Sequence, residues 1–380
     1  MKILNIMFEN IDVFKEGVNI DLTAKDRVSD TSQVYQLFDR IYTQKLIGIT
    51  GPNASGKTTL LRLLQLALNI VVNNFGLNDI ELSDGIIKDD TVMRVDFYAQ
   101  DILYRLESII GIKKDTLKRE YYFKEEIVYR KHKSEITKKD SIKTFEIVVL
   151  RRSEMNSESI KFLKPYDSIV TQYIESGPIF VNTLINTNAN YFNSSTKSVM
   201  SFINLFDNSI EDIMSESENN DLMIKFKNRN SQYIRSTLYD ADKYLSSGTI
   251  KGSNILNKIA FVMKTGGYLI IDEIENHLHK KLVELLIDLF SDDDVNVNGA
   301  TLIFTTHYSE IFDTVDRKDN IYVLVRDDKY ASILLRYSDI IKRNDIKKSE
   351  ILLSNYIEGT SPKYEDIFKV KRFLCELVRS

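Results

Sequence analysis

The stretch GITGPNASGKTTLLRLL, from Gly48 to Leu64, constrains this chain more than any other. It fits the pattern G-x-x-x-x-G-K-[ST], with Gly51, Gly56, Lys57 and Thr58 at the fixed positions. The apolar run Leu46–Thr50 before it reads as a buried strand entering a turn. After it, Thr58–Val72 is apolar at helical spacing. A glycine-rich turn between such elements points successive backbone N–H groups inward and forms an anion-binding nest. Glycine lets the backbone approach a phosphate without a Cβ in the way, and the helix N-terminus adds positive potential. Gly51, Pro52, Asn53, Ala54, Ser55, Gly56, Lys57, Thr58 and Thr59 are therefore expected to hold a nucleoside triphosphate. Lys57 would reach the β- and γ-phosphates, and the Thr58 hydroxyl would bind Mg2+. The competing reading is a glycine turn that only caps a helix.

Three further motifs follow in chain order. Leu245–Thr249, LSSGT, is a small, hydroxyl-rich turn at the start of a helix. Its N–H and O–H groups can be offered to a phosphate, or Ser246 or Ser247 simply caps the helix. Tyr268–Glu273, YLIIDE, is an apolar strand that lifts two carboxylates to the carboxyl edge of a sheet, where open α/β sheets bind ligands. Asp272 suits Mg2+, and Glu273 suits the orientation and deprotonation of an attacking water. Thr305-Thr306-His307 ends the strand TLIF. His307 is placed to hydrogen-bond a γ-phosphate or the attacking water, against the ordinary reading of a structural histidine.

Composition narrows the class. The 380 residues carry 43% hydrophobic residues and a formal net charge of −4, enough for a large core and unlike a uniformly basic nucleic-acid coat. Cys375 is the only cysteine, so no disulfide framework or thiolate metal site is expected. No window approaches the roughly 20 apolar residues of a membrane span. The N-terminus is interrupted by Glu9, Asn10 and Asp12 and lacks a signal-peptide core. These features lead to an expectation of a soluble, cytoplasmic protein with no membrane partner.

Taken in order, GPNASGKT, LSSGT, YLIIDE and TTH resemble the ATP-binding-cassette class of ATPase. LSSGT is similar to that class's LSGGQ signature, with Ser247 for the first glycine and Thr249 for glutamine. The segment IENHLHKKL after Glu273 resembles OLD-like and SMC-like ATPases rather than transporter cassettes, as does the N-terminal ENIDVFKEGVNIDL. The resemblance covers about residues 1–75 and 240–310. It implies an α/β P-loop NTPase fold with an ABC-type head. A mixed β-sheet would be flanked by helices, with a large α+β insertion between the P-loop and the signature. The boundaries expected are 1–110 for the N-terminal lobe, 111–240 for the insertion, and 241–380 for the C-terminal lobe. The resemblance further implies ATP and Mg2+ as cofactors, Glu273 and His307 as catalytic residues, and Thr58, Asp272 and a Q-loop glutamine around the metal, for which Gln100 is the candidate. It implies a homodimer or higher oligomer in which Ser246, Ser247 and Gly248 of one copy meet the nucleotide of the other.

The tail NYIEGTSPKYEDIFKVKRFL resembles the ends of stand-alone bacterial AAA ATPases of abortive-infection systems. Residues 310–380 lack an E…DxD pattern, so no fused TOPRIM nuclease is expected. This leads to a slow or partner-regulated ATPase whose ATP-dependent dimerisation controls a separate effector, such as a TOPRIM or other nuclease, in antiphage defence. The alternatives are a DNA-repair or recombination ATPase and a non-hydrolysing ATP-bound scaffold or sensor. Nucleic acid enters as a candidate partner through Lys113–Lys143, where lysines and arginines alternate with Tyr121, Tyr122 and Tyr129. Asp115, Glu120, Glu125, Glu126, Glu135 and Asp140 offset much of that charge.

Overall fold

A computed structural model describes the chain apart from residues 81–84, 114–118, 156–162, 173–176, 178–179, 183–191, 193–198, 217–219, 228–231, 277, 344, 355, 361–363 and 380. Strands β1 (Lys2–Ile11), β2 (Val18–Asp21), β3 (Val34–Phe38), β4 (Ile41–Gln44) and β5 (Leu46–Thr50) lead into helix α1 (Lys57–Val71). Four antiparallel strands follow: β6 (Ile87–Ala99), β7 (Ile102–Lys113), β8 (Glu120–His132) and β9 (Ile147–Arg151). Next come β10 (Phe180–Asn182), α2 (Val199–Phe206), and the meander β11 (Ile210–Glu216), β12 (Asp221–Phe226) and β13 (Tyr233–Thr237). The rest is α3 (Ser247–Thr265), β14 (Tyr268–Ile271), α4 (Lys280–Ser291), β15 (Thr301–Thr305), β16 (Ile321–Arg326), β17 (Ser332–Arg336), α5 (Tyr337–Ile340), α6 (Lys348–Leu353) and α7 (Tyr364–Arg379).

Two six-stranded sheets organise these elements. The core sheet runs β10-β14-β15-β5-β16-β17. Its first five strands are parallel, and β17 pairs antiparallel with β16. The second sheet, β2-β1-β6-β7-β8-β9, is antiparallel. β5, β14 and β15 are buried along their whole length, which is why they read as unbroken apolar runs rather than alternating ones. Alternation still sorts their side chains. Ile47, Ile49, Ile270 and Ile303 join α1 and the antiparallel sheet in one core. Leu46, Leu269, Ile271, Leu302 and Phe304 join α3 and α4 in another. Helix α1 is therefore apolar around nearly its full circumference, since it lies between two sheets.

The region between α1 and α3 holds β6–β13 and α2, an α+β insertion in sequence. Residue 110 falls within β7, and β6–β9 form one continuous sheet with β1. The sequence pattern over Tyr166–Ile213 reads as mostly helix with an asparagine-rich interruption around Asn186 to Asn193; those asparagines lie outside the described residues, and the described part holds one helix, α2, with strand β10, a 3-10 turn at Ile169–Gln172 and the start of β11. Short apolar runs do not separate buried strand from helix by periodicity, and Phe180–Asn182 becomes a strand because β14 offers it a parallel partner.

Glu126 of β8 ties the following segment to this sheet. It is fully buried, and its carboxylate accepts from Arg152 Nε at 3.0 Å, Ser168 Oγ at 2.6 Å and Ile169 N at 3.0 Å. Removing one partner of a buried pair strands the other charge. Glu126→Ala is expected to cost about 3–5 kcal/mol in urea unfolding. A loss no larger than the roughly 0.5 kcal/mol of an ordinary surface substitution would contradict this account of the network.

Among the described residues, no helix is long and apolar enough to cross a membrane.

Candidate nucleotide site

The loop from Gly51 to Gly56 leaves the carboxyl end of β5 and enters α1. Two of its glycines are required by space. At Gly51, φ is 152° and an added Cβ would lie 2.4 Å from Leu324 O and 2.8 Å from Ser55 Oγ. At Gly56, φ is 94° and the Cβ would press on Val13, Ser332 and Phe14. Ser332 Oγ donates to Ser55 O at 2.8 Å, and Arg326 donates to Ala54 O, so β16 and β17 brace the loop from outside. Lys57 Nζ arches back over the loop and donates to Gly51 O at 2.8 Å and Pro52 O at 3.0 Å. Burial draws its pKa below the ordinary lysine value, while Asp272, Glu273 and Glu275 act in the opposite sense. Ser55 Oγ is buried without a hydrogen-bond partner among the described residues. A narrow backbone cradle, a desolvated ammonium and an unpartnered hydroxyl suit an oxyanion rich in acceptors.

The second half of the site comes from β14 and β15, one strand removed from β5. β15 lies between β5 and β14, so their carboxyl ends open side by side. Thr58 Oγ1, in the first turn of α1, donates to Asp272 Oδ2 at 2.8 Å. Thr305 Oγ1 donates to Asp272 Oδ1 at 2.5 Å and accepts from Glu273 N at 2.7 Å. Glu273 has φ 47°, a left-handed conformation that a non-glycine residue adopts at a cost. The Thr305 bonds, with Ile274 N donating to Thr305 O at 3.0 Å, hold the turn in place. Its side chain, 48% exposed, lies open to the site with Oε1 3.5 Å from His307 Nε2. His307 N donates to Glu275 Oε1 at 2.8 Å.

These residues fit a magnesium nucleotide. Among the described residues, no three His, Cys, Asp or Glu side chains are placed to hold a metal by themselves. Thr58 and Asp272 offer two oxygens, and Mg2+ ordinarily completes its octahedron with phosphate and water.

Ser246, Ser247 and Gly248 stand apart from the loop. Ser246 is the N-cap of α3, its Oγ accepting from Thr249 N at 3.0 Å and lying 2.8 Å from Thr249 Oγ1. Both serines are exposed. Among the described residues they bond only within their own turn.

Gln100 is not brought to this site, which corrects its assignment near the metal. It occupies the β6–β7 turn with φ 50° and is exposed. Nearby Tyr98 pairs with Lys2, whose Nζ binds Gly266 O, Asn298 O and Gly299 O, at the amino ends of β14 and β15. That is the opposite edge of the core sheet from the phosphate loop. The strand beside β14 is instead β10, ending at Asn182, which pairs with Ile270. Thr305 and Glu275 lie inside quoted motifs, but their bonds to Asp272, Glu273 and His307 emerge only in three dimensions.

The parallel core, the cradle before α1 and the carboxylates after β14 define a P-loop ATPase fold with a mixed sheet flanked by helices. The chain belongs to the family described as AAA domain, putative AbiEii toxin, Type IV TA system, whose model matches residues 46–313. Among solved structures, it is similar to the SMC head domain from Thermotoga maritima, at 14% identity and a TM-score of 0.41, over 88% of this chain and 99% of that one. No curated protein matches it.

Proposed function

We propose that this protein binds and hydrolyses Mg2+-ATP at a site completed by a second copy of itself. Lys57 and the loop N–H groups hold the triphosphate, Thr58 and Asp272 hold the metal, and Glu273 orients and deprotonates water with His307 beside it. One observation carries the two-copy reading. A turn rich in N–H and O–H donors sits exposed at the N-terminus of α3, bonded only to itself among the described residues. Placed across a two-fold axis, it would supply donors to the face of the triphosphate that the loop leaves open. ATP then favours the closed dimer, and hydrolysis removes the bias.

The closure is proposed to control a separate protein effector in an antiphage or toxin–antitoxin setting, which the family's description supports. A nucleic-acid partner finds less support. Lys113 pairs with Glu120, Lys124 with Asp89 and Asp90, and Lys133 with Asp101, so part of the basic charge of that stretch is already answered within the chain.

Mixing two inactive variants tests the shared site. Lys57→Ala disables the loop and Ser247→Arg blocks the donor turn. In a mixed dimer one site receives both defects and the other receives none. Equal mixing is therefore expected to restore about a quarter of wild-type turnover if sites act independently. A mixture as inactive as its components would contradict the composite site.

A further inference from the structure

Lys251 lies on α3, just over one turn from the N-cap Ser246. Its ammonium nitrogen is buried and has no hydrogen-bond partner among the described residues. Glu275 Oε2 is also buried and unpartnered, although its Oε1 holds the His307 backbone. The two belong to one electrostatic neighbourhood. Burial lowers the pKa of Lys251, and the charges opposing that shift are Glu273, then Glu275, then Asp272. Topology explains the meeting. α3 runs down one face of the core sheet and β14 returns alongside it, which brings the first turn of α3 level with the carboxyl end of β14. Phe206 of α2 packs closely on this part of α3, since a Cβ added at the adjacent Gly252 would lie 2.2 Å from its ring.

A buried ammonium and a buried carboxylate oxygen, each lacking a partner, are an unfavourable pair of neighbours unless some state of the protein joins them. The geometry points to Lys251 as a positioning residue that links the donor turn of α3 to Glu273 and Glu275 of the same chain. When another copy's triphosphate engages Ser247, a small shift of α3 lets Lys251 bond Glu275, and this fixes the turn that carries Glu273 and the backbone of His307. Each subunit thereby registers, at its own water-activating carboxylate, that its donor turn is occupied. This inference rests on the shared-site ATPase reading and adds a route of communication within one chain.

The test uses the full-length chain, with turnover measured by phosphate release and affinity by a fluorescent ATP analogue in Mg2+. Lys251→Met is expected to lower kcat about 10- to 100-fold, as losses of supporting contacts around a reactive site do. The KM for ATP should stay near wild type, and the Tm should be unchanged or higher, because an unpaired buried charge has been removed. Lys251→Arg should recover part of the rate. Glu275→Gln should match Lys251→Met, and the double variant should be no slower than either. Wild-type kcat in Lys251→Met, or additive losses in the double variant, would overturn the inference and leave the ATPase reading standing. A wild-type chain that neither binds the analogue nor releases phosphate would overturn both.

Discussion

Lys57→Ala is expected to reduce ATP turnover by about 100- to 1,000-fold, the usual effect of removing one preorganised donor from developing charge. Nearly all the catalysis open to a phosphoryl-transfer site is positioning and charge stabilisation. The Lys57 side chain is buried and its ammonium already lies over the loop, where it bonds the carbonyl oxygens of Gly51 and Pro52. Those bonds are readily exchanged for phosphate oxygens, and desolvation strengthens the new ones. The variant should remain folded, because α1 is held by its apolar residues between the sheets. Phosphate release and analogue binding should fall together while the Tm changes little. Turnover near wild type would remove the loop from the mechanism.

Glu273→Gln is the second large effect. Its backbone is fixed by Thr305 Oγ1, so the amide should occupy the place of the carboxylate without disturbing the turn. What is lost is the proposed base. Turnover is expected to fall about 100- to 10,000-fold, while ATP affinity is kept, since the proposed ligands of phosphate and metal are untouched. Asp272→Asn should behave differently, because Asp272 receives the Thr58 and Thr305 hydroxyls. That change should weaken Mg2+-dependent binding itself. Equal loss of binding in both variants would contradict the division of labour between the two carboxylates.

The site was legible in sequence wherever local pattern and chemistry coincide. The loop needs glycines at Gly51 and Gly56 for reasons of space, and YLII and TLIF are continuous apolar runs because both faces of their strands are buried. The helix start at Ser246 was equally visible as a capping signal. What sequence could not show depends on pairing between distant strands. Gln100 lies in a hairpin turn, and the register of β6 on β1 carries it to the opposite edge of the core sheet from the phosphate loop. β10 is invisible to periodicity because only β14 makes it a strand. Nothing in the linear chain relates Glu275 to Lys251, and only the return of β14 beside α3 places their charges in one neighbourhood.

The lysine-rich stretch teaches a related lesson. Its composition suggested a phosphate-binding face, and antiparallel pairing answers several of those lysines with aspartate and glutamate from neighbouring strands and turns. A charge run read along the chain overstates the field that the folded surface presents.

Sedimentation velocity of Glu273→Gln, with and without Mg2+-ATP, addresses the claim on which all else depends. Slow turnover preserves the triphosphate during the run, so subunit engagement can be read directly. The account predicts a monomer-to-dimer shift that requires both ATP and Mg2+ and is absent when Lys57→Ala or Ser247→Arg is added. Sedimentation unaltered by saturating Mg2+-ATP, with binding confirmed in the same sample, would show that one copy holds its nucleotide alone.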